Sequence, residues 1–316
     1  MPQPRPLPRE LHRTAFTPAD AARFGVGPER LRRRDIEHPF HGIAAHGLAI
    51  DDDISRCHAY LSRLGRDQLF SHITAARLHG MPLPSALRSH TELHVTAFGG
   101  TNAPEARGIV GHEASAALER SDAVHAIPVT TAVATWIDLA GMRINGRTAL
   151  SRADLVAIGD FLVSGARLEH AKQAPLCTIE ELSEAVEAHS HRRGAGALAW
   201  ALPRVRVGVD SPKESELRLL LTRARRAEPE TNLAVPLDDG TRWHLDLGYR
   251  AERVGLEYEG DRHRTDRRRW LSDLTRARRL QAMGWVVFRV GANDLRSEGA
   301  RMLVADVRRA LRLARR

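Results

Sequence analysis

Two short stretches decide how this chain reads: Thr241-Arg-Trp-His-Leu-Asp246-Leu-Gly-Tyr249 and Arg253-Val-Gly-Leu-Glu257-Tyr-Glu259. Both alternate with the period of two expected of a strand with a buried face. In the first, Trp243, Leu245, Leu247 and Tyr249 share one face, and His244, Asp246 and Gly248 share the other. In the second, Val254, Leu256 and Tyr258 oppose Gly255, Glu257 and Glu259. A turn at Arg250 to Arg253 joins them as a hairpin and places Asp246 across from Glu257. Side chains directly opposite have Cβ atoms about 5 Å apart. Like charges at that distance destabilise a ladder unless a cation lies between them, and a divalent ion such as Mg²⁺ is typically held by one or two carboxylates with water and phosphate. The wet face of a hairpin also carries acids, but that explains one acid more easily than three. Glu259 points the same way, and His263 follows closely.

The flanks extend the pattern. Ser211-Pro-Lys-Glu214 opens a helix whose stripe is Leu217, Leu220, Leu221 and Ala224. Ser211 and Glu214 have the spacing of a capping box, in which Glu214 bonds back to the Ser211 amide. Glu214 is therefore both a cap and a candidate third acid. Asn232–Leu237 reads as a strand, and Asp238-Asp-Gly240 as a turn. Trp270–Met283 reads as a helix ended by Gly284, with Arg276 among its basic residues. Trp285–Val290 is a continuous apolar run of the kind found in a buried strand, and Leu295–Leu313 is a last helix. The order is α-β-β-β-α-β-α.

Charge is divided unevenly. The 316 residues carry 48 Lys and Arg against 39 Asp and Glu, a net of +9. Residues 1–202 hold 22 of each sign, so the whole excess lies in residues 203–316, with 26 basic and 17 acidic. A basic domain is the footprint of a polyanion partner, usually nucleic acid. No apolar run is long enough for a membrane helix, and the Pro-rich Met1–Pro8 reads as a flexible tail rather than a signal peptide. A cytoplasmic protein is expected. Cys57 and Cys177 are isolated and read as unreactive thiols.

The N-terminal part reads as a small DNA-binding unit. Thr17-Pro18 starts a helix that runs to Phe24. Gly25-Val-Gly27 turns, and Pro28–Ile36 forms a second helix carrying Arg30, Arg32, Arg33 and Arg34. His38–Ile43 follows as strand and turn. That is the outline of a winged helix-turn-helix, although an ordinary helical hairpin with a solvated basic face gives a similar pattern. Further on, Gln68–His79 reads as a helix, Leu93–Thr96 as a strand, Ala126–Thr131 as a lead into a helix through Leu139, and Leu155–Val163 and Thr178–His189 as helices. Asp51-Asp-Asp53 reads as a helix start. This middle part shows no catalytic constellation.

A resemblance adds to this reading. Ser211-Pro-Lys-Glu214, Asp246, Glu257-Tyr-Glu259-Gly260-x-x-His263, Trp270-x-x-Asp273-x-x-Arg276 and Gly284-Trp-Val-Val-Phe-Arg289 resemble the domain-of-unknown-function 559 family. That family lies within the PD-(D/E)XK nuclease superfamily and is related to very-short-patch-repair endonucleases. The resemblance covers about a third of the chain. It implies an acidic site that binds Mg²⁺ or Mn²⁺ and hydrolyses phosphodiesters, with Glu214, Asp246 and Glu257 as metal ligands. Glu259 stands where the superfamily usually has lysine, and members with an acid there include active restriction enzymes. Without the lysine, Glu259, His263 or a second ion would position the water. The first two-thirds is similar, more weakly, to AbiEi-type phage-defence antitoxins, through Gln68–Gly80 and Pro128–Leu139.

The expectation is an α/β (α+β) chain in three parts. A winged-helix-like unit spans 1–66, an α/β middle domain with a helical linker spans 67–202, and a restriction-endonuclease-like αβββαβ core with a mixed sheet spans 203–316. The expected activity is Mg²⁺-dependent DNA cleavage, in DNA repair or phage defence. The catalytic set is Glu214, Asp246, Glu257, Glu259 and His263, and the nucleic-acid contacts are Arg30, Arg32, Arg33, Arg34 and Arg276. The alternative is a non-cleaving, antitoxin-like DNA-binding regulator on a degenerate nuclease fold. RNA is a weaker substrate reading, because aromatic residues are only 5% of the chain and no stacking platform is evident. A homodimer and a toxin or other defence-system partner are compatible with either reading.

Overall fold

The computed structural model describes residues 6–115, 121–167, 171–223, 227–237, 240–259, 275 and 277–316. The chain is mixed α and β and divides into two compact units. One comprises Met1–Leu150 with Glu184–Gly196, and the other Ser151–Ser183 with Ala197–Arg316.

The first unit opens with a single helical turn at Arg9–Leu11, then β1 (Ala15–Phe16), α1 (Pro18–Arg23), α2 (Pro28–Leu31), β2 (Glu37–Phe40) and β3 (Ile43–Ala45). The Thr17 hydroxyl accepts from the Asp20 amide and Pro18 occupies the first turn, so α1 begins as its sequence dictates. The second helix is shorter than the sequence suggested. It stops at Leu31, and Arg33 and Arg34 lie on the turn that follows. The strands order as β1-β3-β2, all antiparallel. Leu7 is not part of a free tail: it is buried with Leu11, Phe16, Ala21, Val26 and Leu31. Met1–Arg5 lie outside the described residues.

There follow α3 (Asp53–Tyr60), β4 (Gln68–Phe70), α4 (His72–Leu78), α5 (Ser85–Arg88), β5 (Leu93–Phe98), β6 (Ile109–Ala114), β7 (Ser121–Val124), β8 (Ile127–Thr130) and α6 (Ala132–Gly141). Asp52 caps α3, as the acidic run implied. The helix expected over Gln68–His79 is instead a strand and then a helix. Gln68, Leu69 and Phe70 pair with Ala97, Thr96 and Val95, and edge-to-edge pairing overrides local helical pattern. The five strands order as β6-β5-β4-β8-β7. One core spans this sheet and the first one, because Phe40 and Ile43 pack with Tyr60, Phe70 and Val95. For that reason the expected division at residues 66 and 67 does not separate two cores. A small hairpin, β9 (Arg143–Ile144) and β10 (Arg147–Thr148), closes this stretch.

The chain continues through α7 (Arg152–Ser164), α8 (Ile179–Ala188), α9 (Ala195–Ala201), α10 (Pro212–Arg223), β11 (Glu230–Pro236), β12 (Arg242–Tyr249) and β13 (Val254–Tyr258). A helix over 277–282 (α11), β14 (Val286–Val290) and α12 (Ser297–Leu313) complete it. The sequence assigned α7 to the middle segment, yet it packs on α10. Asp160 of α7 and Arg218 of α10 form an ion pair at 2.7 Å with side chains only 1% exposed. Asp160 also accepts from the Ser215 hydroxyl, and Arg218 reaches Glu228. A buried charge needs such a partner, so the pair fixes α7 to this unit. Burial lifts the Asp160 carboxyl above its ordinary range, and Arg218 opposes that lift.

The sheet of this unit orders β11-β12-β13-β14, antiparallel except for the parallel β13–β14 pair. That is the expected mixed sheet, with α10 before it and α12 after it. Leu217 and Leu221 of α10 and Leu303, Val307 and Leu311 of α12 cover Leu247, Tyr249, Val254 and Leu256. Strand β14 is an edge strand rather than a buried one, and its Val286 is 49% exposed. Its apolar run reflects two packed sides at only part of its length.

Candidate functional site

The site begins at the first turn of α10. The Ser211 hydroxyl donates to Glu214 Oε1 at 2.8 Å and accepts from the Glu214 amide at 3.3 Å. The second oxygen, Oε2, accepts from the Asp210 amide at 2.9 Å, not from Ser211 as the sequence suggested. The cap is therefore real and reaches one residue further back. Glu214 is also buried, at 8% exposure. Burial, and next the charge of Asp246, push its carboxyl up to about 7. Strand β12 and helix α10 thus bring Asp246 and Glu214 into one electrostatic site.

Asp246 sits where the hairpin changes character. The β12–β13 register runs Tyr249 with Val254, Gly248 with Gly255 and Leu247 with Leu256, which points Asp246 toward the level of Glu257. The Asp246 carboxylate instead accepts from the Tyr258 amide at 2.7 Å and ends the ladder. On its other side, pairing passes from Thr231–Leu247 to Leu233–Leu245, skipping Asn232 and Asp246. Asn232 adopts φ 47°, a left-handed conformation. The regular alternation expected of β12 breaks at this point. Leu247 and Tyr249 face α10 and α12, whereas Leu245 packs with Leu233, Val235, Leu280 and Trp285. Gly248 and Gly255 make room for this, since a Cβ on either would meet Leu233 or Leu245 at 2.3 and 2.5 Å.

The remaining candidates separate. Glu257 is half-buried, and its Oε1 accepts from the Trp243 indole at 2.7 Å. Glu259 is 53% exposed and pairs with Arg289 at 3.0 Å. His263 and Arg276 lie outside the described residues, as do Ala224, Asp238, Asp239 and residues 270–274 of the expected Trp270–Met283 helix. Glu214 feels the charge of Asp246, then, while Glu257 is turned toward Trp243 and Glu259 toward Arg289. The all-oxygen, doubly acidic character of the Glu214–Asp246 pair suits Mg²⁺ or Mn²⁺, which keep several waters and need few protein ligands.

In the N-terminal unit the four candidate arginines differ. The Arg30 guanidinium bonds Asp35 through both nitrogens, at 2.6 and 3.0 Å, which spends its fork within the fold. Arg32, Arg33 and Arg34 are exposed, with Arg32 only loosely paired to Glu29 at 3.8 Å.

A further cluster escaped the sequence reading. Among the described residues, the set of three His, Cys, Asp or Glu side chains whose donor atoms all lie within 4.8 Å of one another is His72, His94 and His112. The four acids above are not gathered so tightly. Nδ1 of His94 lies 2.9 Å from Nε2 of His112, and the His72 and His112 rings stack at 3.6 Å. Burial depresses His94 to about 3 and His112 to about 4, so both rings are neutral at ordinary pH. Their separations along the chain match no local metal motif. Only the β4, β5 and β6 pairing brings them together.

No family model matches the chain, and no solved structure matches it. Two curated proteins of Mycobacterium tuberculosis are similar, the uncharacterized proteins MT2308 (strain CDC 1551 / Oshkosh) and Rv2248 (strain ATCC 25618 / H37Rv). Each is 31% identical over 150 residues, which is 48% of this chain and 55% of the relative. The chain thus spans about half the length of the curated relatives it matches. Among the described residues, no helix is long and apolar enough to cross a membrane.

Proposed function

We propose that the C-terminal unit is a DNA endonuclease dependent on Mg²⁺ or Mn²⁺. The observation that carries this reading is a buried carboxyl, Glu214, that feels the charge of Asp246 at the broken end of a hairpin. Glu214 is buried beside Asp246, and Asp246 is aimed by the Tyr258 amide. Like charges placed together in a partly dry site favour a cation between them. The resemblance to PD-(D/E)XK nucleases agrees in motif order, and the excess of basic charge in residues 203–316 suits a phosphate backbone.

In this reading Asp246 and Glu214 hold the ion, and Glu257 completes the shell by releasing or sharing its bond to Trp243. When bound, the ion lowers the pKa of a water and screens charge on the scissile phosphate. The Ser211 hydroxyl and Asp210 amide fix the Glu214 carboxylate, so it need not reorganise. Glu259 and His263 orient the attacking water, and arginines of the unit, Arg276 among them, grip neighbouring phosphates. The test is nicking of supercoiled plasmid with Mg²⁺, Mn²⁺ or chelator, beside Asp246→Ala.

One observation favours a second reading, in which the protein binds DNA without cutting it. The Glu259 carboxylate, at the usual lysine position, is engaged by Arg289 rather than left for water. The β1-α1-α2-β2-β3 order also carries exposed Arg32, Arg33 and Arg34, as a winged-helix regulator would. On this reading the Arg32→Ala, Arg33→Ala variant loses DNA affinity and no metal-dependent nicking exists to lose. Each phosphate contact removed lowers the salt slope of binding by about one. Membership of a repair or phage-defence system, a toxin partner and a homodimer remain parts of this proposal.

A further inference from the structure

The histidine cluster of the N-terminal unit is separate from the acidic site and does not depend on the reading given to that site. Its geometry follows from the sheet. Strands β4, β5 and β6 are consecutive neighbours. His94 lies on β5 and His112 on β6, where His112 is the partner of Thr96 in a parallel register, two residues along from His94. Side chains two apart on a strand share a face, so His94 and His112 meet diagonally. His72 follows β4 directly, at the first position of α4, and the Ser71 amide donates to the His94 carbonyl at 3.0 Å. Two imidazoles from adjacent strands and a third from the start of the helix that follows the next strand therefore converge.

We propose that His72, His94 and His112 form a three-histidine site for a borderline transition-metal ion of the Zn²⁺ type. All donors are nitrogen, which suits zinc and its neighbours and not Mg²⁺ or Ca²⁺. A tetrahedral ion with bonds of about 2.0–2.1 Å sets its nitrogens roughly 3.3 Å apart. The His94–His112 distance of 2.9 Å is already close to that, and the third nitrogen lies within 4.8 Å. The His72 and His112 rings stack nearly parallel, at 13°, so binding turns them out of the stack to bring the set to bonding distance.

The outer contacts are those of a built site. His94 Nε2 faces His90 Nε2 at 3.1 Å, so His94 is directed through Nδ1 toward the cluster. His72 Nδ1 faces the Ser71 hydroxyl oxygen at 3.0 Å, and that oxygen accepts from the Thr96 hydroxyl at 2.7 Å. Ligand histidines characteristically use one nitrogen for the metal and the other for such a partner. His90 in turn lies 3.4 Å from Glu92. His72 also holds φ 50°, a left-handed conformation that ordinary side chains avoid and that functional sites retain. His94 is fully buried, while His72 and His112 are half-buried, which leaves one side open for a fourth ligand such as water.

The test uses the full-length protein, freed of metal with chelator and titrated with Co²⁺. One Co²⁺ per chain is expected, with the intense visible bands of four-coordinate nitrogen ligation and displacement by Zn²⁺. His72→Gln and His112→Gln, at half-buried positions, are each expected to weaken binding by at least about tenfold while the circular dichroism stays that of the folded protein. Asp246→Asn is expected to leave the Co²⁺ spectrum unchanged. The proposal is overturned if folded wild type shows no such spectrum, if His112→Gln keeps it, or if Asp246→Asn removes it. Any of these results would make the cluster a hydrogen-bonded stack without a metal role, and loss of the spectrum in Asp246→Asn would place the Co²⁺ at the acidic site instead.

Discussion

At the scale of single residues, Glu214 carries the clearest consequence. Its carboxyl titrates at about 7 in the folded protein against 4.5 in an ordinary setting, because it is buried and then because Asp246 faces it. The folded chain therefore holds a proton on Glu214 that the unfolded chain gives up at lower pH. Stability contributed by this group is complete below about pH 4.5 and is lost as pH rises through about 7, provided no cation is bound. Glu214→Gln should flatten that decline, by at most about 3 kcal/mol, in chelator-treated protein followed by urea unfolding. Parallel pH profiles for wild type and variant would contradict it. The sequence placed Glu214, Asp246, Glu257 and Glu259 as candidates, and it named the capping role of Glu214 as well. What it could not resolve was which acids meet. That depends on the Tyr258 amide, the Trp243 indole and the Arg289 guanidinium, each claiming one carboxylate.

At the scale of elements, periodicity found strands and helices wherever they followed their local pattern. The last strand and the two helices around the sheet came out nearly at their expected limits. Periodicity failed where pairing overrode it. Residues 68–70 became strand because β5 offered an edge, and β12 changed faces at Asp246 because Asn232 adopts a left-handed turn of backbone. Two glycines register that change, and Gly248→Ala should test it. Its Cβ would lie 2.3 Å from the Leu233 side chain, so overpacking of about 1–3 kcal/mol is expected in denaturant unfolding. A neutral outcome would mean that the two faces are not arranged as described. The α7–α10 contact gives a sharper case. Arg218→Ala leaves Asp160 buried without its cation, and a loss of about 3–5 kcal/mol is expected. The pair Asp160→Leu, Arg218→Met should recover most of that loss, since apolar replacement of a buried ion pair is often neutral. Equal damage from single and double variants would contradict the assignment of the pair as the tie between these helices.

At the scale of the whole chain, the sequence drew its boundary near residue 203, where the charge balance shifts. Charge marks what a surface meets, however, and not where a core ends. Asp160 and Arg218 carry the boundary back to α7, and the sequence gives no sign that two residues so far apart pair. A fragment of residues 151–316 should therefore unfold cooperatively, whereas 203–316, which strands Arg218 in the core, should not. Cooperative unfolding of the shorter piece would contradict the division. The histidine cluster was invisible for the same reason, as three distant residues joined only by strand order. The nuclease reading rests on the acidic site, and nicking of supercoiled plasmid is its sharpest test. Nicking is expected with Mg²⁺ or Mn²⁺, none with chelator, and none from a folded Asp246→Ala protein that still binds DNA. Cleavage that persists undiminished in Asp246→Ala, or a folded wild type that binds DNA and never nicks it with either ion, would contradict the nuclease reading.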